Sequence, residues 1–222
     1  MKKIFKSLIL GCSLMSVAAL SQAQDVAKVY EAGKHYTVIS QDTTDKPEVR
    51  EFFSFFCGHC ASFETFVKMV KPSLKEGVFQ RNHVNFLGGI PQSAQDNLTQ
   101  AIALALKIDD KAQQDAVVDA IFHRIHKEKK RTEVFDRIGV REVFKEQGVA
   151  PEWFDANIDG FQVKMDAKKM LDTQNKMTTI NAIQGVPTVI VNGKYRIENS
   201  EVSRNDPVAD YISLINFLLT NP

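Results

Sequence analysis

Apolar and polar residues follow different patterns in three successive stretches of the chain, and each stretch predicts its own kind of element. From Gln24 to about Gly88, short runs rich in β-branched and aromatic residues dominate: Tyr36-Thr37-Val38-Ile39, Val49-Arg50-Glu51-Phe52-Phe53-Ser54-Phe55-Phe56 and His83-Val84-Asn85-Phe86. These predict strands. Between the last two, Phe63, Phe66, Val67, Val70 and Leu74 recur at spacings of three and four, the period of a helix with one apolar face. Pro72 should kink that helix or end its regular part.

From about Ser93 to Ile183 the pattern is helical throughout. Leu98, Ile102, Ala105 and Leu106 mark one stripe; Val117, Ile121, Phe122 and Ile125 mark another. Gly148 reads as a stop after Val143-Phe144, Pro151 as the first turn of a new helix, and a long helix should run from roughly Ile158 towards Thr179. Strand pattern then returns in Pro187-Thr188-Val189-Ile190-Val191, followed by Asn192-Gly193, a strong hairpin signal, and Lys194-Tyr195-Arg196-Ile197. A closing helix should span Pro207 to Leu219. The order β, β, α, β, helices, β, β, α predicts an α/β domain built from residues 24–92 and 184–222. The strand, helix, strand start calls for a right-handed crossover over a small sheet. The helices at 93–183 are too many residues for a loop and should pack as a domain of their own, inserted into the first.

Residues 1–23 differ in kind. MKKIFK, then SLILGCSLMSVAAL, then SQA give a basic start, an apolar run and small residues at Ser21 and Ala23, the three parts of a secretory signal peptide cleaved after Ala23. The apolar run is short for a bilayer span. Cys12 sits in a faint lipoprotein-like box too near the start for an export core, so no role is expected of it. Removing this segment takes away Lys2, Lys3 and Lys6 and leaves 199 residues with 25 basic against 27 acidic groups.

The whole chain has 222 residues, 44% hydrophobic and 25% charged, which excludes a disordered or collagen-like protein. Its 28 Lys and Arg against 27 Asp and Glu leave no net field to draw nucleic acid or an anionic membrane. The partner must therefore be argued from a site.

Two cysteines remain after export, Cys57 and Cys60, and an oxidising compartment favours a disulfide between them. A bridge closing so short a loop removes little chain entropy, so a purely structural staple explains it poorly. Phe55-Phe56-Cys57-Gly58-His59-Cys60 places the pair where an apolar strand gives way to a helix. At a helix N-terminus, free N–H groups and the macrodipole favour thiolate at Cys57, and His59 adds a donor or a positive charge. Cys60, almost one turn on, can resolve a mixed disulfide on Cys57. A first thiol lowered from about 8.5 to about 3.5 would stabilise the reduced form at pH 7 by about 5 kcal/mol, on the order of 100 mV, and make the pair a disulfide donor. A value near 7 would suit a reductant. The C-x-x-C pair is also half a zinc site, but no second pair exists, and His83 would serve only if the fold brought it near. His123 and His126, before Lys127, Lys129, Lys130 and Arg131, read as a solvated helix end, and the acceptor pattern Asn97-Leu98-Thr99 is given no role. Gly185-Val186-Pro187-Thr188 reads as a strand start. Opposite a redox pair, a cis Val186-Pro187 bond would free the Val186 backbone to pair with an extended peptide.

Taken together, Phe52-Phe53-Ser54-Phe55-Phe56-Cys57-Gly58-His59-Cys60, His83-Val84-Asn85-Phe86, Gly185-Val186-Pro187 and Val191-Asn192-Gly193-Lys194-Tyr195 make the chain resemble the DsbA family of periplasmic thiol-disulfide oxidases. The resemblance implies a thioredoxin fold with an inserted helical domain, catalytic Cys57, resolving Cys60 and a cis proline at Pro187. No cofactor and no metal are implied. It implies reduced, unfolded exported proteins as clients, and reoxidation by a DsbB-like, quinone-linked membrane protein docking in a groove beside the site. The family's buried acid falls on Glu51, which by itself reads either as an ordinary surface charge or, since it faces into an otherwise apolar run, as a paired, proton-handling acid beneath the cysteines, and the family's acid on the first helix falls on Glu64. Where relatives carry lysine this sequence has Arg81. One departure is Gly58, where the family has proline; the looser turn points to a less oxidising pair. The expected function is a monomeric periplasmic disulfide oxidase. The alternatives are an isomerase or reductant using the same site, and a peptide-binding module in which the disulfide only staples.

Overall fold

The computed structural model describes residues 28–221; the signal peptide and Cys12 lie outside these residues. Its elements run β1 (Tyr36–Val38), β2 (Val49–Phe53), α1 (Gly58–Val70), β3 (Phe79–His83), α2 (Gln92–Ala105), α3 (Lys111–His126), α4 (Arg137–Glu146), α5 (Pro151–Asn157), α6 (Phe161–Thr179), β4 (Thr188–Val191), β5 (Tyr195–Ile197) and α7 (Pro207–Thr220). The five strands form one sheet in the order β1-β5-β4-β2-β3, with only β2 and β3 parallel. Helices α2 to α6 fall between β3 and β4, as the inserted block of the sequence pattern. No helix among the described residues is long and apolar enough to cross a membrane.

Several boundaries move for identifiable reasons. Strand β2 stops at Phe53, three residues before the apolar run ends. Ser54 folds the chain there: its hydroxyl accepts the Phe56 N–H at 3.2 Å and its carbonyl accepts the Cys57 N–H at 3.1 Å. Strand β3 lies at Phe79–His83 rather than the expected His83–Phe86, in register with β2 from Val49 opposite Phe79 to Phe53 opposite His83. Val84 N–H still reaches the Phe53 carbonyl at 2.8 Å, after which Asn85 leaves the sheet and donates to the Gln174 side chain. Helix α1 ends at Val70 and tightens into a 3₁₀ turn at Lys71–Ser73, where Pro72 has no N–H to give. The hairpin turn uses Asn192 and Gly193, both at positive φ (52° and 66°), the geometry that matches the twist of the paired strands.

The sheet carries α1 and α7 on one face and α6 on the other. Val49, Val189 and Val191 pack with Val70, Tyr211, Leu214 and Leu218, while Phe52, Val84 and Ile190 pack with Met177. The third core joins the helical block to the start of α1: Phe53, Phe55 and Cys60 pack with Ile102, Val117, Ile121, Phe122 and Phe144. The expected stripe on α2 is in fact an enclosed end, since Ala101 to Ala105 are all buried. Flanked by α3, α4, α6 and β3, this helix shows solvent only part of its first turns. Helix α1 departs from its pattern in a more consequential way. Its fully buried positions are Cys60, Glu64, Val67 and Val70, whereas Phe63 and Phe66 are turned aside and half-buried. A carboxylate takes the centre of the face expected to hold phenylalanines.

Candidate active site

Cys57 is the N-cap of α1. Its backbone is extended (φ −88°, ψ 116°), and its sulfur accepts the Cys60 N–H at 3.2 Å, filling one of the donors that a helix start leaves without partners. No acidic residue lies in the first turn to offset the positive end of the helix. Both cysteines are free thiols, the reduced half of the pair. Cys57 is half-buried at the surface, and Cys60 is 1% exposed among the apolar residues of the helical block.

Their protons are held very differently. The Cys57 thiol is lowered from 9.0 to about 6, first by the Cys60 side chain, then by the backbone N–H groups of Cys60 and His59 and the charge of His59, against the opposing effect of burial. Cys60 is pushed up by its hydrogen bond with Cys57 and by burial, with the Glu51 carboxylate adding in the same direction. His59 itself is exposed at the rim.

Three charged side chains lie buried together in this part of the core. Glu51 on β2 stands directly opposite Arg81 on β3 in the parallel register, and Glu64 lies one helical turn beyond Cys60. Their exposures are 1%, 5% and 4%. Arg81 holds Glu64 through two bonds, 2.8 and 2.6 Å, and Glu51 through one at 3.2 Å. One guanidinium thus faces two carboxylates, and Glu51 has the weaker hold. Burial raises the Glu51 carboxyl from 4.5 to about 7; Arg81 pulls it down, while Glu64 and Cys57 push it up. Burial alone would lower Arg81, but the two carboxylates outweigh that and raise it. Reading Glu51 as an ordinary surface charge is therefore wrong: its place on the inward face of β2 removes it from water.

Val186 and Pro187 come to the same spot from the other end of the chain. The Val186–Pro187 peptide is cis, and the Val186 carbonyl accepts from the Cys57 thiol at 3.4 Å. Beside the turn opens a groove of about 670 Å³, with Phe63, Phe66, Pro187 and Tyr211 in its walls and His59 at its edge.

The sequence reading missed His126. It is not part of a solvated end: its Nε2–H donates to the Phe55 carbonyl at 2.7 Å, two residues before Cys57. The available signal was its spacing of four from Phe122, whose ring packs at a tilt against Phe55, 4.9 Å between ring centres. His123, by contrast, is exposed and bonded to Glu128. His83 does not approach as a metal ligand; its Nδ1 faces Thr99 at 2.8 Å, and burial lowers its pKa to about 3. Among the described residues no group of three or more His, Cys, Asp or Glu side chains is placed to hold a metal ion.

Residues 48–213 match the family model of the DSBA-like thioredoxin domain. The chain belongs to this family. The curated thiol:disulfide interchange protein DsbA of Pectobacterium carotovorum is 34% identical over 229 residues, covering 99% of both chains, and DsbA of Escherichia coli K12 is 34% identical over 98% of both. Among solved structures, DsbA of Klebsiella pneumoniae superposes with a TM-score of 0.72 at 28% identity, over 87% of this chain and 99% of that one. A Cys-to-Ser variant of Proteus mirabilis DsbA, solved with the non-covalently bound peptide PWATCDS, gives 0.69 at 29% identity over 86% and 99%. The thioredoxin-like fold with its helical insertion is common to this family and to this chain.

Proposed function

We propose that this chain is a periplasmic protein disulfide oxidase, exported by a signal peptide cleaved after Ala23 and acting as a monomer on reduced, unfolded exported proteins. In this reading residues 24–92 and 184–222 form the thioredoxin-like part and 93–183 the inserted domain. A client thiolate attacks the sulfur of Cys57 in the oxidised pair, and the Cys57–Cys60 bond breaks with Cys60 as leaving group. A second client thiolate then attacks the client sulfur of the mixed disulfide and releases Cys57 as thiolate. Two electrons pass from the client dithiol to the pair, and a DsbB-like, quinone-linked membrane protein takes them on. His59 stabilises the departing Cys57 thiolate, and Val186 and Pro187 offer the backbone beside which an extended client lies. Glu51, poised near neutral pH, exchanges the proton that Cys60 gains and loses, with Glu64 and Arg81 setting its charge.

The observation that carries this reading is the contrast between a Cys57 thiol lowered to about 6 at the helix start and a buried Cys60 pushed upward. Cys57 is the better leaving thiolate of the two, which favours handing the disulfide to the client. A value of about 6 lies between the donor and reductant limits set out above and stabilises the reduced form at pH 7 by about 1.4 kcal/mol, on the order of 30 mV. The test is the equilibrium of the pair with glutathione, read by mass after thiol alkylation. A midpoint near about −120 mV supports a donor, and one near about −180 mV or lower overturns it in favour of an isomerase or reductant. Replacing Cys57 by serine should abolish oxidation of a reduced test protein. Gly58 is the feature that favours the second reading, since the turn lacks the family's proline although a side chain there would meet nothing within 4 Å. That reading requires free thiols on the pair in periplasmic extract.

A further inference from the structure

We infer that the groove beside Cys57 selects client segments carrying an acidic residue next to the reacting cysteine, and that Arg204 sets this preference. The inference rests on the oxidase reading above and names the class of client that the site takes fastest. The floor of the groove is apolar, formed by Phe63, Phe66, Val202 and Tyr211, and its only charge-bearing side chains are His59 and Arg204. Among the described residues no carboxylate lines it.

Arg204 is available to a ligand in a way most arginines of the chain are not. Six of the eight, Arg50, Arg81, Arg124, Arg137, Arg141 and Arg196, have a carboxylate within 4.0 Å. Arg204 is exposed and has none among the described residues, although Glu201 and Asp206 flank it in sequence. The Asp206 carboxylate caps α7 by accepting the Ala209 N–H at 3.1 Å, and Glu201 accepts from Ser200. The other unpaired arginine, Arg131, lies in the segment between His126, which bonds Phe55, and Phe135, whose ring meets Phe56 at 5.7 Å. Lys127 and Lys129 in that segment are exposed and likewise without a carboxylate within 4.0 Å among the described residues. Cations without a carboxylate partner among the described residues therefore stand in the groove wall and in the segment that packs on Phe55 and Phe56. An apolar floor with a cationic edge, adjoining a reactive sulfur, fits a polypeptide that places an apolar side chain in the groove and a carboxylate at its rim. A flat anionic membrane would meet the cations but leave the groove unfilled.

The test uses the oxidised protein and dithiol peptides identical except for Asp, Asn or Lys beside the reacting cysteine. Each second-order rate constant is divided by that peptide's rate with the uncharged disulfide of 2-mercaptoethanol, which removes the effect of the substitution on the peptide thiol itself. At low salt the Asp peptide should exceed the Lys peptide about ten-fold, equivalent to about 1.4 kcal/mol, with Asn between them. Salt at 1 M should compress the ratio. Arg204→Gln should reduce it and Arg204→Glu should bring it to about two-fold or invert it, and the ratio cancels any change in Cys57 reactivity. Equal normalised rates in the unsubstituted protein, or an unchanged ratio in Arg204→Glu, overturn the assignment while leaving the oxidase reading intact. Binding to phosphatidylglycerol vesicles that Arg204→Glu removes, with no peptide preference, overturns it in favour of a lipid surface. Failure to oxidise any of the peptides overturns both.

Discussion

The mouth of the active site and the layer beneath it treat charge in opposite ways. At the mouth, Cys57 is half-buried next to Val186, and its neighbours His59 and Pro187 line a groove that also holds Arg204; its thiol is lowered to about 6. In the core, Cys60 is 1% exposed, and two carboxylates share one guanidinium. The two thiols are three residues apart, Cys57 at the N-cap and Cys60 in the first turn of α1; the helix start sets Cys57 apart, and burial against the helical block sets Cys60 apart. A surface charge near the mouth acts through solvent and is screened, whereas removing one member of the buried triad leaves a charge with no water to replace it.

The sharpest way to break this contrast is Cys60→Ser. Without Cys60 there is no Cys57–Cys60 disulfide for a client thiolate to attack, so oxidation of a reduced client should fall to background, while the Cys57 thiolate should attack the disulfide of an oxidised client and keep it as a mixed disulfide seen by mass spectrometry. Sustained oxidation of the reduced client would mean that the pair is not the disulfide donor. Arg81→Met leaves Glu51 and Glu64 without their counter-ion and should lower stability by about 3–5 kcal/mol, measured by urea unfolding. An effect below about 1 kcal/mol would mean that water reaches the cluster and that the two regions differ less than their burial implies.

The pH dependence sharpens the comparison further, because the two regions carry opposite signs. Glu51 titrates near 7 when folded against an ordinary value of 4.5, so between these values the folded chain binds more protons than the unfolded one. Its contribution to stability is present below about pH 4.5 and is lost as pH rises through about 7. Cys57, lowered to about 6 from 9.0, does the reverse in the reduced protein: stability rises as pH goes from about 6 to about 9. Urea midpoints across pH 4 to 9 should show the Glu51 slope disappear in Glu51→Gln, and the Cys57 slope disappear on oxidation of the pair. A slope that survives oxidation belongs to another group. The smallest effect is expected of Gly58→Pro. Gly58 is the first residue of α1, and Cys57 before it is already extended, as a residue preceding proline requires. The substitution should add about 0.4–1 kcal/mol by restricting the unfolded chain, and a loss of stability would show that the turn needs the freedom of glycine.

Much of this was legible in the sequence because it depends on local chemistry. The helix period in Val117, Ile121, Phe122 and Ile125, the Asn192-Gly193 turn, Pro72 as an end to α1 and Pro151 at the start of α5 each follow from backbone sterics or from neighbours within four residues. So does the placing of Cys57 at a helix start, where its sulfur fills a backbone vacancy. Residues brought together from distant segments were less accessible. Glu64 lies in the middle of an apolar periodicity, and only Arg81 arriving on the neighbouring strand explains why it occupies the buried face while Phe63 and Phe66 turn to the groove. His126 looked solvated beside four cationic residues until the helical insertion placed it against the carbonyl of Phe55.

The sequence by itself determined the order of the elements, the hairpin turn and the position of Cys57 at the start of α1, since these rest on helix capping and turn geometry. Only the tertiary structure decided that burial raises the Glu51 carboxyl, that Arg204 lines the groove without a carboxylate partner among the described residues, and that the Val186 carbonyl faces the Cys57 thiol. Those properties depend on burial and on distances between segments far apart in the chain, such as the 129 residues between Cys57 and Val186, and no local pattern encodes them.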